Sequence, residues 1–133
     1  MVLGLGSDLI EIARIEASIA RYGNRFVERI FTAEEIAYCQ RKRNAAESFA
    51  ARFAAKEAGA KALGTGISYG IAWSEIEVRR EPSGKPTLHW SGRALAWAQR
   101  LGVQRTALTL THSGAMALAV VIVEGERLAN QED

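Results

Sequence analysis

Apolar residues recur along this chain in two rhythms, and the rhythm changes near its middle. A short apolar run over residues 2–6 reads as a strand, and residues 10–21 read as an amphipathic helix with a further helical turn near 25–30. Thr32 opens the next helix. Its hydroxyl caps the amino end while Glu35, three residues on, completes a capping box, and the helix ends near the basic Arg41-Lys42-Arg43. The longest helix spans 46–63, where Phe49, Phe53, Ala60 and Leu63 fall at helical spacing and the many alanines both favour the helix and permit close packing. After a glycine-spaced loop over 66–70 the period shortens. Residues 74–80 alternate polar with apolar in the manner of a half-buried strand, 82–86 form a turn, and 87–90 continue as a second strand. Ser91 caps a helix that runs to 101 and that Gly102 ends. Residues 105–111 alternate, 115–123 are almost continuously apolar, and His112-Ser113-Gly114 makes a tight turn between them. The pattern predicts an α+β fold with a mainly antiparallel sheet packed with a long helix. With no repeat, low-complexity block or linker, the whole of 1–133 is expected to be one domain. The apolar run 115–123 predicts burial on both faces, for which a neighbouring subunit would supply cover.

Composition narrows this reading modestly. The chain has 133 residues and 48% hydrophobic content, enough for one core. Its net charge is only +2, yet Arg14, Arg21, Arg25, Arg29, Arg41, Lys42, Arg43 and Arg52 crowd into the first part. If residues 11–29 are helical, steps of seven and four return Arg14, Arg21 and Arg25 to nearly one azimuth. Such a ridge reads either as a solvated face, softened by Glu11, Glu16 and Glu28, or as a docking surface for an anionic partner. A nucleic-acid partner is not expected, because Trp73, Trp90 and Trp97 sit away from the arginines. No stretch approaches the ~18 apolar residues of a membrane span, and the amino end reaches Asp8 and Glu11 too soon for a signal segment. A cytoplasmic protein is expected. The lone Cys39 has no disulfide partner or metal-binding neighbours.

The chemistry concentrates in Lys56-Glu57-Ala58-Gly59-Ala60-Lys61-Ala62-Leu63-Gly64-Thr65-Gly66. Glu57 and Lys61, four residues apart, project from one helical face and would both reach an anionic ligand or an ion bound to it. Gly64 and Gly66 let the backbone approach that ligand closely. On spacing alone, a solvated Glu–Lys pair before a glycine stop is the commoner reading. A second acid stands in Gly4-Leu5-Gly6-Ser7-Asp8, at the expected end of the first strand. Taken alone, Asp8 reads as a helix N-cap. Taken with Glu57, it offers two hard oxygens from separate segments, a set that suits Mg²⁺ completed by phosphate oxygens and water.

Gly6-Ser7-Asp8 together with the run from Lys56 to Gly66 resembles the holo-acyl-carrier-protein synthases, a family of 4′-phosphopantetheinyl transferases. Thr32-Ala33-Glu34-Glu35, Arg52-Phe53-Ala54-Ala55, Ser83-Gly84-Lys85-Pro86 and Thr111-His112 match in the same order, so the resemblance covers nearly everything before the tail after about Glu124. It implies the 4′-phosphopantetheinyl transferase fold and Mg²⁺-dependent transfer of 4′-phosphopantetheine from coenzyme A to a serine of apo-acyl carrier protein. Adenosine 3′,5′-bisphosphate would be released, and the reaction would support fatty acid biosynthesis. By the same resemblance Asp8 and Glu57 bind the metal, Lys61 adds charge at the pyrophosphate, and Glu57 or a metal-bound water takes the serine proton. Gly64, Thr65 and Gly66 line the nucleotide with backbone amides. Arg43 and Arg52 meet the diphosphate or the 3′-phosphate. The ridge of Arg14, Arg21 and Arg25 docks the acidic carrier protein. Synthases of this length are homotrimers with intersubunit active sites, so Pro86 and His112 would face Asp8, Glu57 and Lys61 across an interface. Many relatives carry an acidic or larger polar residue after this histidine, where this chain has Ser113.

Overall fold

A computed structural model of the chain describes residues 1–128, so residues 129–133 of the expected single domain lie outside the described residues. The elements run β1 (Val2–Glu11), α1 (Ile12–Tyr22), α2 (Asn24–Ile30), α3 (Ala33–Gln40), α4 (Ala45–Ala62), β2 (Ile76–Arg80), β3 (Pro86–Trp90), α5 (Gly92–Leu101), β4 (Val103–Ser113) and β5 (Met116–Gly125), with a 3-10 turn at Trp73–Glu75 before β2. The α+β expectation holds. Strands β1, β5 and β4 form an antiparallel sheet in that order, and β2 pairs with β3 as a separate antiparallel hairpin.

The long helix α4 lies directly on the sheet, and glycines decide how close. A Cβ on Gly4 would stand 2.0 Å from the Ala62 carbonyl oxygen, and one on Gly6 only 1.9 Å from that of Ala58. Any side chain at either position would push the helix away. On its opposite side, Gly59 lets Leu88 and Ile76 of the hairpin approach. Eleven of the 18 residues of α4 are buried, which explains why it is alanine-rich around its circumference rather than striped. The Thr32 capping box forms as expected: Thr32 Oγ1 accepts from the Glu35 amide at 3.2 Å, and Glu35 Oε1 accepts from the Thr32 amide at 2.9 Å.

Several boundaries differ from expectation for identifiable reasons. Strand β1 continues five residues past its predicted end, because Gly6, Asp8 and Ile10 keep the two-residue alternation and pair with Val121, Ala119 and Ala117 of β5. Asp8 is therefore inside a strand and caps nothing; Glu11 precedes α1 without a side-chain cap. Gly23, at φ 56°, separates α1 from α2, which matches the helix and the further helical turn expected there but not the continuous helix over 11–29 that an arginine ridge requires. Residues 73–75 form the 3-10 turn rather than strand, and Ile76, Glu77 and Val78 are all buried instead of alternating. Ser91 precedes α5 without a capping hydrogen bond, whereas Gly102 ends that helix at φ 87° as expected. In β5, Ala117, Ala119, Val121 and Val123 face the core, but Leu118 on the other face stays 36% exposed. The expected two-sided burial is one-sided within the chain, since helices pack on only one face of this sheet.

Candidate active site

The packing of α4 on β1 builds the site. Gly4 lies against Ala62 and Gly6 against Ala58, so Asp8, the next residue on that strand face, lies on the amino-end side of Ala58, where the Lys61 side chain leans back to meet it. Lys61 Nζ donates to the Ser7 carbonyl at 3.0 Å and to Asp8 Oδ1 at 3.2 Å. Asp8 and Glu57 line one cleft of about 340 Å³, together with Arg14, Ser18, Phe26 and Phe53. Burial raises the Glu57 carboxyl pKa, and the charge of Asp8 raises it further against the opposing pull of Lys61. A carboxyl whose ionisation is opposed by a neighbouring carboxylate marks a place where a cation relieves repulsion. Among the described residues, no group of three or more His, Cys, Asp or Glu side chains could hold a metal ion. Two carboxylates from separate elements are a donor set that would suit Mg²⁺, which takes few protein carboxylates and keeps water and phosphate oxygens.

Lys56, whose role the sequence left open, is structural. It is fully buried, and its ammonium donates to Glu35 Oε1 at 2.7 Å, the Ile76 carbonyl at 2.7 Å and the Trp73 carbonyl at 3.3 Å. Burial lowers its pKa while the Glu35 carboxylate opposes that shift. Glu35 Oε2 also accepts from the Val78 amide at 2.9 Å, so one carboxylate ties α3, α4 and β2 together. The capping-box pattern located Glu35 but gave no sign of this burial.

A second polar cluster lies one side of α4. Arg52 is buried, its guanidinium sits 4.1 Å from the centroid of the Tyr38 ring, and its Nε has no hydrogen-bond partner. Lys42 (4.6 Å), Arg80 (5.5 Å) and Arg41 (5.9 Å) surround the same ring. Burial alone would raise the Tyr38 phenol pKa, yet a hydrogen bond from Lys42 and the charges of Arg80, Arg52 and Lys42 outweigh it and lower the pKa. Four cations around one ring, with an orphaned guanidinium nitrogen, make an anion-attracting cluster. Sequence reasoning named Arg52 but missed Tyr38, Lys42 and Arg80, which converge from α3, the following loop and the hairpin. Arg43 is exposed in that loop.

Other expected residues fall elsewhere. The amides of Gly64, Thr65 and Gly66 do not line an open site; they donate to the carbonyls of Lys61 and Ala60 at the end of α4. That loop offers bare backbone instead: Gly64 and Gly66 have positive φ, and nothing lies within 4 Å of a Cβ built on either. His112 contacts Glu47 near the amino end of α4, Nε2 to Oε1 3.2 Å, ten residues or roughly 15 Å along the helix from Glu57. Pro86 begins β3 opposite Arg80. Neither lines the Asp8–Glu57 cleft of its own chain. Arg14 and Arg21 are exposed on α1, but Arg25 is on α2, so the three form no single helical ridge. Arg25 instead lines a cavity of about 590 Å³ with Arg29, Phe26, Phe53 and Trp73. The tryptophan expected far from the arginines is beside two of them.

A family profile described as the 4′-phosphopantetheinyl transferase superfamily matches residues 4–121. The chain belongs to that superfamily. It is 52% identical over 124 residues to the holo-[acyl-carrier-protein] synthase of Koribacter versatilis, covering 93% of this chain and 99% of the relative. Among solved structures, the synthase from Neisseria meningitidis superposes with a TM-score of 0.85 at 34% identity, covering 93% of this chain and 99% of that one. The Helicobacter pylori synthase in complex with coenzyme A superposes at 0.80 with 32% identity, over 90% and 99%.

Proposed function

We propose that this transferase moves 4′-phosphopantetheine from coenzyme A to a serine hydroxyl of apo-acyl carrier protein and releases adenosine 3′,5′-bisphosphate, in support of fatty acid biosynthesis. The observation that carries the reading is the meeting of Asp8, from a strand, with Glu57, from a helix, in one cleft, with the Lys61 ammonium of the same helix bonded to Asp8. Asp8 and Glu57 would hold Mg²⁺, which when bound neutralises charge on the pyrophosphate. Lys61 places a further positive charge at the leaving phosphate. The serine oxygen bonds to the phosphorus that carries pantetheine, and the bridging P–O bond breaks in line, leaving its electrons on the nucleotide 5′-phosphate. Glu57, whose carboxyl pKa is raised by burial, is this chain's own candidate to take the serine proton. Arg52 and Arg43, with the Tyr38 cluster, receive a phosphate of the nucleotide end, and the glycine loop supplies a side-chain-free edge for close approach.

The carrier protein, being acidic, docks on Arg14, which lines the cleft, on Arg25, which lines the adjoining cavity, and on Arg21, exposed on α1. A homotrimer with intersubunit sites completes the reading. Its support is the outer sheet face, where Leu5 (64% exposed), Leu9 (61%) and Leu118 form an apolar surface that a single chain leaves open. Pro86 and His112, away from their own cleft, would then serve a neighbour's. We place the reaction in the cytoplasm, where the free, buried thiol of Cys39 stays reduced. Among the described residues no helix is long and apolar enough to cross a membrane.

Incubation with coenzyme A, Mg²⁺ and apo-carrier protein should add the mass of one phosphopantetheine to the carrier, and a chelator should stop it. Asp8→Asn and Glu57→Gln should each reduce transfer by roughly 10³-fold while leaving the fold intact. Undiminished turnover in both variants would sink the assignment.

A further inference from the structure

Tyr69 is the only non-glycine with positive φ among the described residues, at 57°. It lies in the loop that leaves α4 just beyond Lys61, where Gly64 (81°), Gly66 (61°) and Gly70 (79°) supply the other left-handed positions. A bulky side chain keeps such a conformation only where its surroundings fix it. Tyr69 is 66% exposed, and its ring contact is with α5. The Tyr69 ring meets the Trp97 ring with centroids 5.5 Å apart and planes tilted 55°. Arg100 lies over that same indole, its guanidinium 4.5 Å from the centroid. The Arg93 side chain of α5 lies over the following residue, where a Cβ on Gly70 would stand 2.7 Å from its Nη1.

The other end of the loop is tied to α4. The amides of Thr65 and Gly66 donate to the Ala60 carbonyl at 3.2 and 3.1 Å, and Ser68 Oγ donates to the Thr65 carbonyl. The bare face of Gly64 and Gly66, with open space before it, lies at the α4 anchor, and the Tyr69 contact holds the chain that leaves it. Glycines free to rotate would sample many arrangements of that face; anchored on both sides, they keep one.

We propose that Tyr69 is a positioning residue for the donor substrate: through its contact with Trp97 it latches the glycine loop in the conformation that receives the nucleotide end of coenzyme A. The proposal rests on the coenzyme A reading above. Helix α5 contributes nothing to the lining of the Asp8–Glu57 cleft, so the latch acts on donor binding and leaves the chemical step alone. Tyr69 also departs from the residues that take positive φ readily, glycine and asparagine, which points to a use for its ring rather than for its backbone.

The test is steady-state kinetics with varied coenzyme A at saturating apo-carrier protein. Tyr69→Gly relieves the backbone and removes the ring. If the loop is then competent in about a tenth of molecules, the KM for coenzyme A rises roughly tenfold with kcat nearly unchanged and the melting temperature not lowered. Tyr69→Phe should keep the wild-type KM. Trp97→Ala should reproduce the rise, Trp97→Phe should recover most of it, and the Tyr69→Gly/Trp97→Ala pair should be no worse than either single change. A wild-type KM in Tyr69→Gly, an equal rise in Tyr69→Phe, or additive effects in the pair would overturn the latch. Absence of transfer by the wild-type protein would instead overturn the function on which it rests.

Discussion

Two lysines five residues apart on α4 each meet a carboxylate, and the two pairs have opposite characters. Lys56 and Glu35 are fully buried at 2.7 Å, whereas Lys61 and Asp8 meet at 3.2 Å with side chains 51% and 19% exposed. The Lys56 ammonium has three N–H groups and three acceptors, all inside the protein. Nothing is left for a ligand. Lys61 uses two of its three, toward Ser7 and Asp8, and stays half-exposed beside the acid that lines the cleft. A charge whose hydrogen bonds close within the core fixes the fold; one left incomplete at the edge of a cleft is available for chemistry.

The sharpest way to break this contrast is to remove each ammonium in turn. Lys56→Met leaves the Glu35 carboxylate buried without its cation and should lower stability by about 3–5 kcal/mol, read from the urea midpoint. That is a large share of the ~5–15 kcal/mol typical of a domain. Replacing Glu35 with Leu in the same chain should recover much of the loss, because no unpaired charge then remains. A loss under about 1 kcal/mol in the single variant would show that the pair does not hold the fold.

Lys61→Met should do the reverse. Stability should change by no more than about 1 kcal/mol, since the pair is solvent-screened. The kcat/KM for transfer should fall roughly 100-fold, about 2.7 kcal/mol of lost stabilisation at the pyrophosphate. Equal stability losses for the two lysines, with activity tracking stability, would erase the distinction. Gly6→Ala addresses the scaffold that both share. With its Cβ 1.9 Å from the Ala58 carbonyl oxygen, α4 must shift. We expect a loss of about 1–3 kcal/mol in stability, and a fall in transfer rate that excess Mg²⁺ does not restore.

The same contrast shows how far residue order reveals structure. Helix spacing alone placed Glu57 and Lys61 together, and the capping-box pattern placed Thr32 and Glu35 at a helix start, because both depend on neighbours within one turn. The polar Ser7 and Asp8 concealed the continuation of β1, whose inward positions are a glycine, an acid and one isoleucine rather than an apolar series. Gly64 and Gly66 suggested close backbone approach to a ligand, yet the amides after Lys61 serve the helix end, while the packing role of Gly4 and Gly6 against α4 left no local sign. The burial of Lys56 and the cations around Tyr38 come from elements distant in sequence, and no local rhythm records such convergence. Gly23 was the one local sign that Arg25 leaves the helix of Arg14 and Arg21.

That break gives the mildest perturbation of the comparison, because it separates charges at the cleft from charges beyond it. Arg14 lines the cleft with Asp8 and Glu57, while Arg21 lies two turns further along α1 with its guanidinium 5.2 Å from the Tyr22 ring. If long-range attraction for an acidic carrier is the role of Arg21, then Arg21→Glu should raise the KM for the carrier protein by about three- to fivefold. The KM for coenzyme A should stay as it was. Raising the ionic strength should shrink the difference between variant and wild type, because the interaction acts across solvent over about a Debye length. Arg14→Glu, next to the paired acids, should affect both substrates and respond less to salt. Were Arg21→Glu to alter only the coenzyme A constant, the outer arginine would belong with Lys61 at the donor site and not with the docking surface.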